Sequence, residues 1–94
     1  MATGIVLVSN ASATGAWFAW PGGRGEFRVE GTFPGTVKLE TKGPNGTAQD
    51  VGAFTTLTTS GGGIFELGTC EIRCNIATAT AVYAQALRVP APSF

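Results

Sequence analysis

The chain has 94 residues with six acids, six bases and no histidine, for a formal net charge of zero. Without histidine or a clustered set of carboxylates, the usual general acid/base and metal-ligating side chains are missing, which argues against an enzyme, a bound metal or any cofactor. Arg24, Arg28, Lys38, Lys42, Arg73 and Arg88 are scattered along the sequence, so the basic stripe of a nucleic-acid binder is absent and no nucleic-acid partner is expected.

In chain order, residues 4–9 read as a first short strand. Its apolar run, Ile5 to Val8, is too brief for a secretory signal or a membrane span, so neither is expected. Residues 16–20 form a second strand and hold Trp17 and Trp20, which regular pleating puts on opposite faces. Either both fill the core, or one stacks on a sugar ring or a partner surface. Gly22-Gly23-Arg24-Gly25 lacks the following helix that a phosphate loop needs, and reads as a hairpin loop with Arg24 at its tip, placed to meet a partner carboxylate.

Residues 26–30 alternate strictly, with Phe27 and Val29 inward and Glu26, Arg28 and Glu30 outward. Alternation resumes over Val37-Lys38-Leu39-Glu40 after a turn at residues 31–35. Asn45-Gly46 then supplies the positive φ angles of a tight turn, which predicts antiparallel pairing of residues 36–42 with a strand beginning near Thr47.

The Thr-rich stretch 54–59 reads as an exposed strand ended by Gly61-Gly62-Gly63. Residues 64–67 and 71–76 flank Gly68-Thr69 as a hairpin, and residues 81–89 make the last strand before Pro90-Ala91-Pro92. Cys70 and Cys74 share a strand face with Ile72 and Ile76. At about 3.3 Å per residue their Cα atoms are roughly 13 Å apart, too far for a disulfide, so two free thiols in a reducing cytoplasm are expected.

No helical periodicity, internal repeat or linker interrupts this pattern. The expectation is an all-β single domain over residues 1–94, a compact antiparallel β-sandwich or jelly-roll-like barrel of about eight short strands. Residues 1–10 and 88–94 are expected to extend as arms. Fourteen glycines raise the entropic cost of ordering so small a domain, which favours added burial in a homo-oligomer or on a larger surface.

Candidate reactive groups fare poorly. Ser9, Ser12, Ser60 and Ser93 have no base to activate them. Glu26 and Glu30 lie roughly 13 Å apart on one strand, too far for a glycosidase pair. Glu40, Glu66, Glu71 and Asp50 read as solvated surface carboxylates, and the sequons at Asn10 and Asn45 read as turn residues.

Ala13-Thr14-Gly15-Ala16 leading to Trp20-Pro21-Gly22-Gly23-Arg24-Gly25, then Gly31-Thr32-Phe33, Val37-Lys38-Leu39-Glu40 and Gly43-Pro44-Asn45-Gly46, resembles small virion proteins of tailed bacteriophages. The resemblance implies a capsid cement or decoration protein, made in the host cytoplasm and resident in the virion. It would bind the major capsid protein or another virion protein and associate with itself, a trimer being favoured. Trp17, Trp20, Arg24, Arg88 and Phe94 are the contact residues expected. The alternative is a tail or fibre module that binds host-surface carbohydrate on Trp17 or Trp20 and Tyr83.

Overall fold

A computed structural model describes residues 4–32 and 34–89. Nine strands appear among them: β1 (Gly4–Ala11), β2 (Phe18–Trp20), β3 (Gly23–Thr32), β4 (Thr36–Lys42), β5 (Ala48–Asp50), β6 (Thr56–Leu57), β7 (Gly61–Leu67), β8 (Cys70–Ala77) and β9 (Thr80–Arg88). Their order is β1-β9-β3-β7 in one sheet and β2-β8-β4-β5 in the other, with β6 also paired to β4, and every pairing is antiparallel. The two sheets face each other as a β-sandwich, as the alternating patterns require once each strand hides one face.

β3 shows the expected alternation, with Phe27 and Val29 buried and Arg28 and Glu30 exposed. β9 does the same with smaller side chains: Val82, Ala84 and Ala86 point inward while Tyr83 and Gln85 point out. The register sets Ala86 beside Phe27 and Ala84 beside Val29, so small residues stand next to large ones across the strand pair.

Trp20 joins the two layers. It belongs to β2 in the second sheet, yet its ring meets Phe65 of β7 in the first, with centroids 5.0 Å apart and planes tilted by 53°. Gly25 makes that contact possible, because a Cβ there would come within 2.6 Å of both Phe65 Cζ and Trp20 Cη2.

The Asn45-Gly46 turn joins β4 to β5 as its turn chemistry predicts, with Lys42 opposite Ala48 and Gly46 at φ +80°. Cys70, Ile72, Cys74 and Ile76 share the inward side of β8, and both thiols are free.

Other expectations are corrected. Residues 64–67 and 71–76 form no hairpin: β7 and β8 lie in different sheets, and the link Gly68-Thr69 crosses between them. Gly61-Gly62-Gly63 does not end a strand but begins β7, opposite Val29, Arg28 and Phe27. Here the missing side chain is used, since a Cβ on Gly62 would sit 2.8 Å from the Phe27 carbonyl. The Thr-rich stretch is a 3-10 turn, Ala53–Thr55, followed by the two-residue β6. Thr55 and Thr56 hydroxyls donate to the Gly52 carbonyl there, the side-chain-to-backbone bonding by which Thr favours turns over ladders.

Residues 4–10 are not an arm: they belong to β1, which pairs with β9. Residues 1–3 and 90–94, Phe94 among them, lie outside the described residues. The Val89 N–H donates to the Arg24 carbonyl at 2.9 Å, so the sheet's bonding continues past the end of β9.

Candidate functional site

The expected contact residues divide between two outer faces. On the second sheet, outward residues of β4 and β8 form a charged layer under Trp17. Arg73 Nε donates to Glu40 Oε1 at 2.8 Å, and Asn75 Nδ2 donates to the same oxygen at 3.3 Å. Lys42 pairs with Glu71 at 3.1 Å and Lys38 with Asp50 at 2.9 Å. Asp50 holds the Lys38 ammonium above its ordinary pKa by accepting its hydrogen bond, against a smaller desolvation effect. The Arg73 guanidinium lies 4.6 Å and the Lys42 ammonium 5.0 Å from the Trp17 ring centroid, within cation–π range.

Trp17 reaches this position because the segment before β2 is bonded to β8. The Gly15 N–H donates to the Cys74 carbonyl at 3.0 Å, and the Ile76 N–H donates to Thr14 Oγ1 at 3.1 Å. Glu40 is only 7% exposed, which corrects its reading as a solvated carboxylate. Its charge is balanced by Arg73, and Asn75 adds a hydrogen bond, the condition under which a carboxylate tolerates burial. Beneath it, burial and then the nearby Glu40 charge push the Cys74 thiol up to about 12.

The first sheet's outer face is different. Val6, Arg28, Tyr83, Gln85 and Leu87, with Ser60 and Gly61 at one end, line an open hollow of about 770 Å³. The register places Gln85 between Val6 and Arg28, and Tyr83 opposite Glu30. Edge strand β1 has register shifts between Val6 and Val8 and between Val8 and Ala11, with Asn10 at φ 52°. Such bulges bend an edge strand and increase its twist, which gives this face its curvature.

Trp20 is corrected as a contact residue, because it is 1% exposed and packed in the core. Trp17 is half-buried, with the Lys42 and Arg73 cations against its ring. Arg24 is exposed within β3 opposite Glu66, not at a loop tip, since β2 and β3 lie in different sheets. Arg88 is exposed at the end of β9 opposite Gly25, with its guanidinium beside Gly23, whose φ is +101°. Arg24 and Arg88 therefore share one end of the first sheet, away from Trp17. Tyr83 is 48% exposed in the hollow.

The sequence reading missed the hollow and the exposed Phe54. Outward parity along β9, with Tyr83, Gln85 and Leu87 in one row, was the available signal for the hollow. Among the described residues, no group of three or more Cys, Asp or Glu is placed to hold a metal ion, and no helix is long and apolar enough to cross a membrane.

The architecture is an antiparallel β-sandwich of a four-stranded and a five-stranded sheet. Its fold is similar to that of the SPBc2 prophage-derived protein YomS, with a TM-score of 0.71 over 93% of this chain and 91% of that one, at 13% sequence identity. No protein-family model matches the chain, and no curated protein sequence does.

Proposed function

We propose that the chain is a non-enzymatic structural protein of a bacteriophage particle, a cement or decoration protein that binds the major capsid shell as a homo-oligomer. The observation that carries this reading is the near full-length likeness of fold to a prophage-derived protein. A sandwich fold hosts many functions, so the surface supplies the rest of the support. It offers an open hollow of mixed apolar and polar lining, in which Val6, Val8 and Leu87 stand with Arg28, Glu30 and Tyr83, a mixture that suits contact between proteins. Cosedimentation of the purified protein with empty capsids of its phage tests the reading. Saturable, stoichiometric binding is expected, and a protein left entirely in the supernatant would sink it.

The second reading, a tail or fibre module that binds host-surface carbohydrate, is favoured by one observation, the half-exposed Tyr83 ring beside Gln85 and Arg28. A glycan array would decide it: a hit abolished by Tyr83→Ser supports a sugar platform, and no hit removes the reading.

A further inference from the structure

Each sheet of the sandwich has two edges, and all but one of them are blunted. β1 carries two register shifts. In the second sheet β2 is three residues long, while β5 and β6, three and two residues, share the other edge. Bulges and short length are devices that keep an edge from pairing with another chain. β7 has neither: its seven residues, Gly61 to Leu67, hold no proline or lysine and match β3 in unbroken register. Among the described residues, no strand and no backbone hydrogen bond covers its outer side.

This edge is open in the plane of the sheet. Gly63 stands opposite buried Phe27, so a Cβ there would point inward, and on that side it would strike the Phe54 carbonyl. The turn Ala53–Thr55 therefore passes beneath β7 rather than beside it. A recess of about 100 Å³ touches outward Ile64 and Glu66 together with inward Phe65. A space that meets both faces of one strand lies at the strand's edge.

β7 is also its own complement. A two-fold axis normal to the sheet at Ile64, the midpoint of the strand, pairs all seven residues with those of a second copy. Gly61 then meets the partner's Leu67, Gly62 the partner's Glu66, Gly63 the partner's Phe65 and Ile64 the partner's Ile64. Ile64, 48% exposed, becomes covered. Glu66 looks across the partner's Gly62, which has no side chain, to the partner's Arg28 behind it, because Arg28 and Gly62 are register partners. Two strand spacings, about 10 Å, separate those Cα atoms, a gap that a glutamate and an arginine bridge together. Both groups are available. Glu66 has no ion pair among the described residues, even with Arg24 opposite it, and Arg28 holds only a 3.8 Å contact with Glu26. Shifting the register by two residues pairs less of the strand and sets Glu66 either against Ile64 or beyond the start of the partner strand.

We propose that the chain forms a two-fold dimer by antiparallel pairing of β7 with β7 of a second copy, which joins the two four-stranded sheets into one. Main-chain hydrogen bonds supply the attraction, and the Ile64 and Glu66–Arg28 contacts set the register. This deepens the homo-oligomer part of the function proposed above and rests on that part alone.

Disulfide trapping reads the register. Opposed Cα atoms of an antiparallel pair lie about 4.5–5.5 Å apart, so Ile64→Cys, in a Cys70→Ser background, is expected to give a covalent dimer on mild oxidation. Glu66→Cys in the same background is the control. Its two copies are offset by roughly 13 Å along the strands and should stay uncrosslinked. Light scattering should give the unaltered protein a dimer mass. Glu66→Arg, which sets like charges together twice across the axis, should weaken that dimer roughly tenfold, and Arg28→Glu added to it should restore most of the loss, with circular dichroism unchanged throughout. A monomeric unaltered protein, an Ile64→Cys chain that cross-links no better than Glu66→Cys, or a charge reversal without rescue would each overturn the proposal. Capsid cosedimentation separates the two failures: a monomer that binds capsids ends the dimer and spares the cement reading, and a dimer that ignores capsids does the reverse.

Discussion

The two outer faces of the sandwich solve the same problem in opposite ways. On the second sheet the outward side chains satisfy one another, with Glu40, Arg73, Asn75, Lys42 and Glu71 joined under Trp17. On the first sheet the outward row leaves Val6 and Tyr83 in a hollow and Ile64 at its far edge. A face whose polar groups are paired within the molecule has little to gain from a partner, whereas exposed apolar area on a curved face gains about 25 cal/mol for each Å² covered. On the function proposed above, partner contact belongs to the first sheet, although the two tryptophans lie in and beside a strand of the second.

Breaking the closed face should have the largest effect. Arg73→Ala leaves the Glu40 carboxylate buried with only Asn75 beside it, and the expected loss is about 3 kcal/mol, the low end for a broken buried pair because Arg73 is partly exposed. Denaturant unfolding measures it, and a loss below about 1 kcal/mol would place the pair among ordinary surface ion pairs. Gly25→Ala tests the bolt between the two sheets. Its methyl would crowd Trp20 against Phe65 and should cost about 1–3 kcal/mol, read as a lower midpoint with an unchanged slope. An unchanged midpoint would show that the Trp20–Phe65 contact has slack.

The third effect is on pH dependence. Cys74 keeps its proton in the fold up to about 12, against 9.0 for an ordinary thiol. Between those values the unfolded chain has lost the proton and the folded chain retains it, so stability falls as pH rises, by at most about 1.4 kcal/mol per pH unit. Lys38, also raised, loses its contribution in the same direction at high pH, so Cys74→Ala should flatten the slope above pH 9 without abolishing it. Denaturation midpoints from pH 8 to pH 10.5 would show this, and identical slopes in the two proteins would contradict it. The smallest effect is expected on the open face: Tyr83→Ser should change monomer stability by less than about 0.5 kcal/mol. A larger loss by thermal melting would mean that Tyr83 serves the fold rather than a partner.

Much of the strand pattern was legible residue by residue. The alternation of 26–30, the Asn45-Gly46 hairpin and the shared face of Cys70, Ile72, Cys74 and Ile76 all follow from a two-residue period and from turn chemistry. The β7–β8 link misled for a physical reason. Gly68-Thr69 suits a hairpin and also a crossing between layers, and dihedral preference does not distinguish them. Thr78-Ala79 shows the same ambiguity, as a two-residue link from β8 to β9 that also changes sheets. Gly61-Gly62-Gly63 misled because glycine weakens an isolated strand, whereas here it admits close backbone neighbours.

The site was less legible than the fold. Glu40 reads as an outward residue and is one, yet it is buried, with Arg73 and Asn75 bonded to its carboxylate from a strand more than thirty residues away in the chain. The two-residue period puts Trp17 and Trp20 on opposite faces, but which of them enters the core depends on the sheet that their strand joins, and here Trp20 points between the sheets while Trp17 lies against an outer face.

Taken alone, the sequence determined the all-β class, the inward and outward sides of β3, the shared face of β8 and the β4–β5 turn, since each depends on neighbours in the chain. Only the tertiary structure decided which sheet each strand joins, which outer face is closed by charge and which is left hollow, because these depend on contacts between residues far apart in sequence, and short-range patterns carry no record of them.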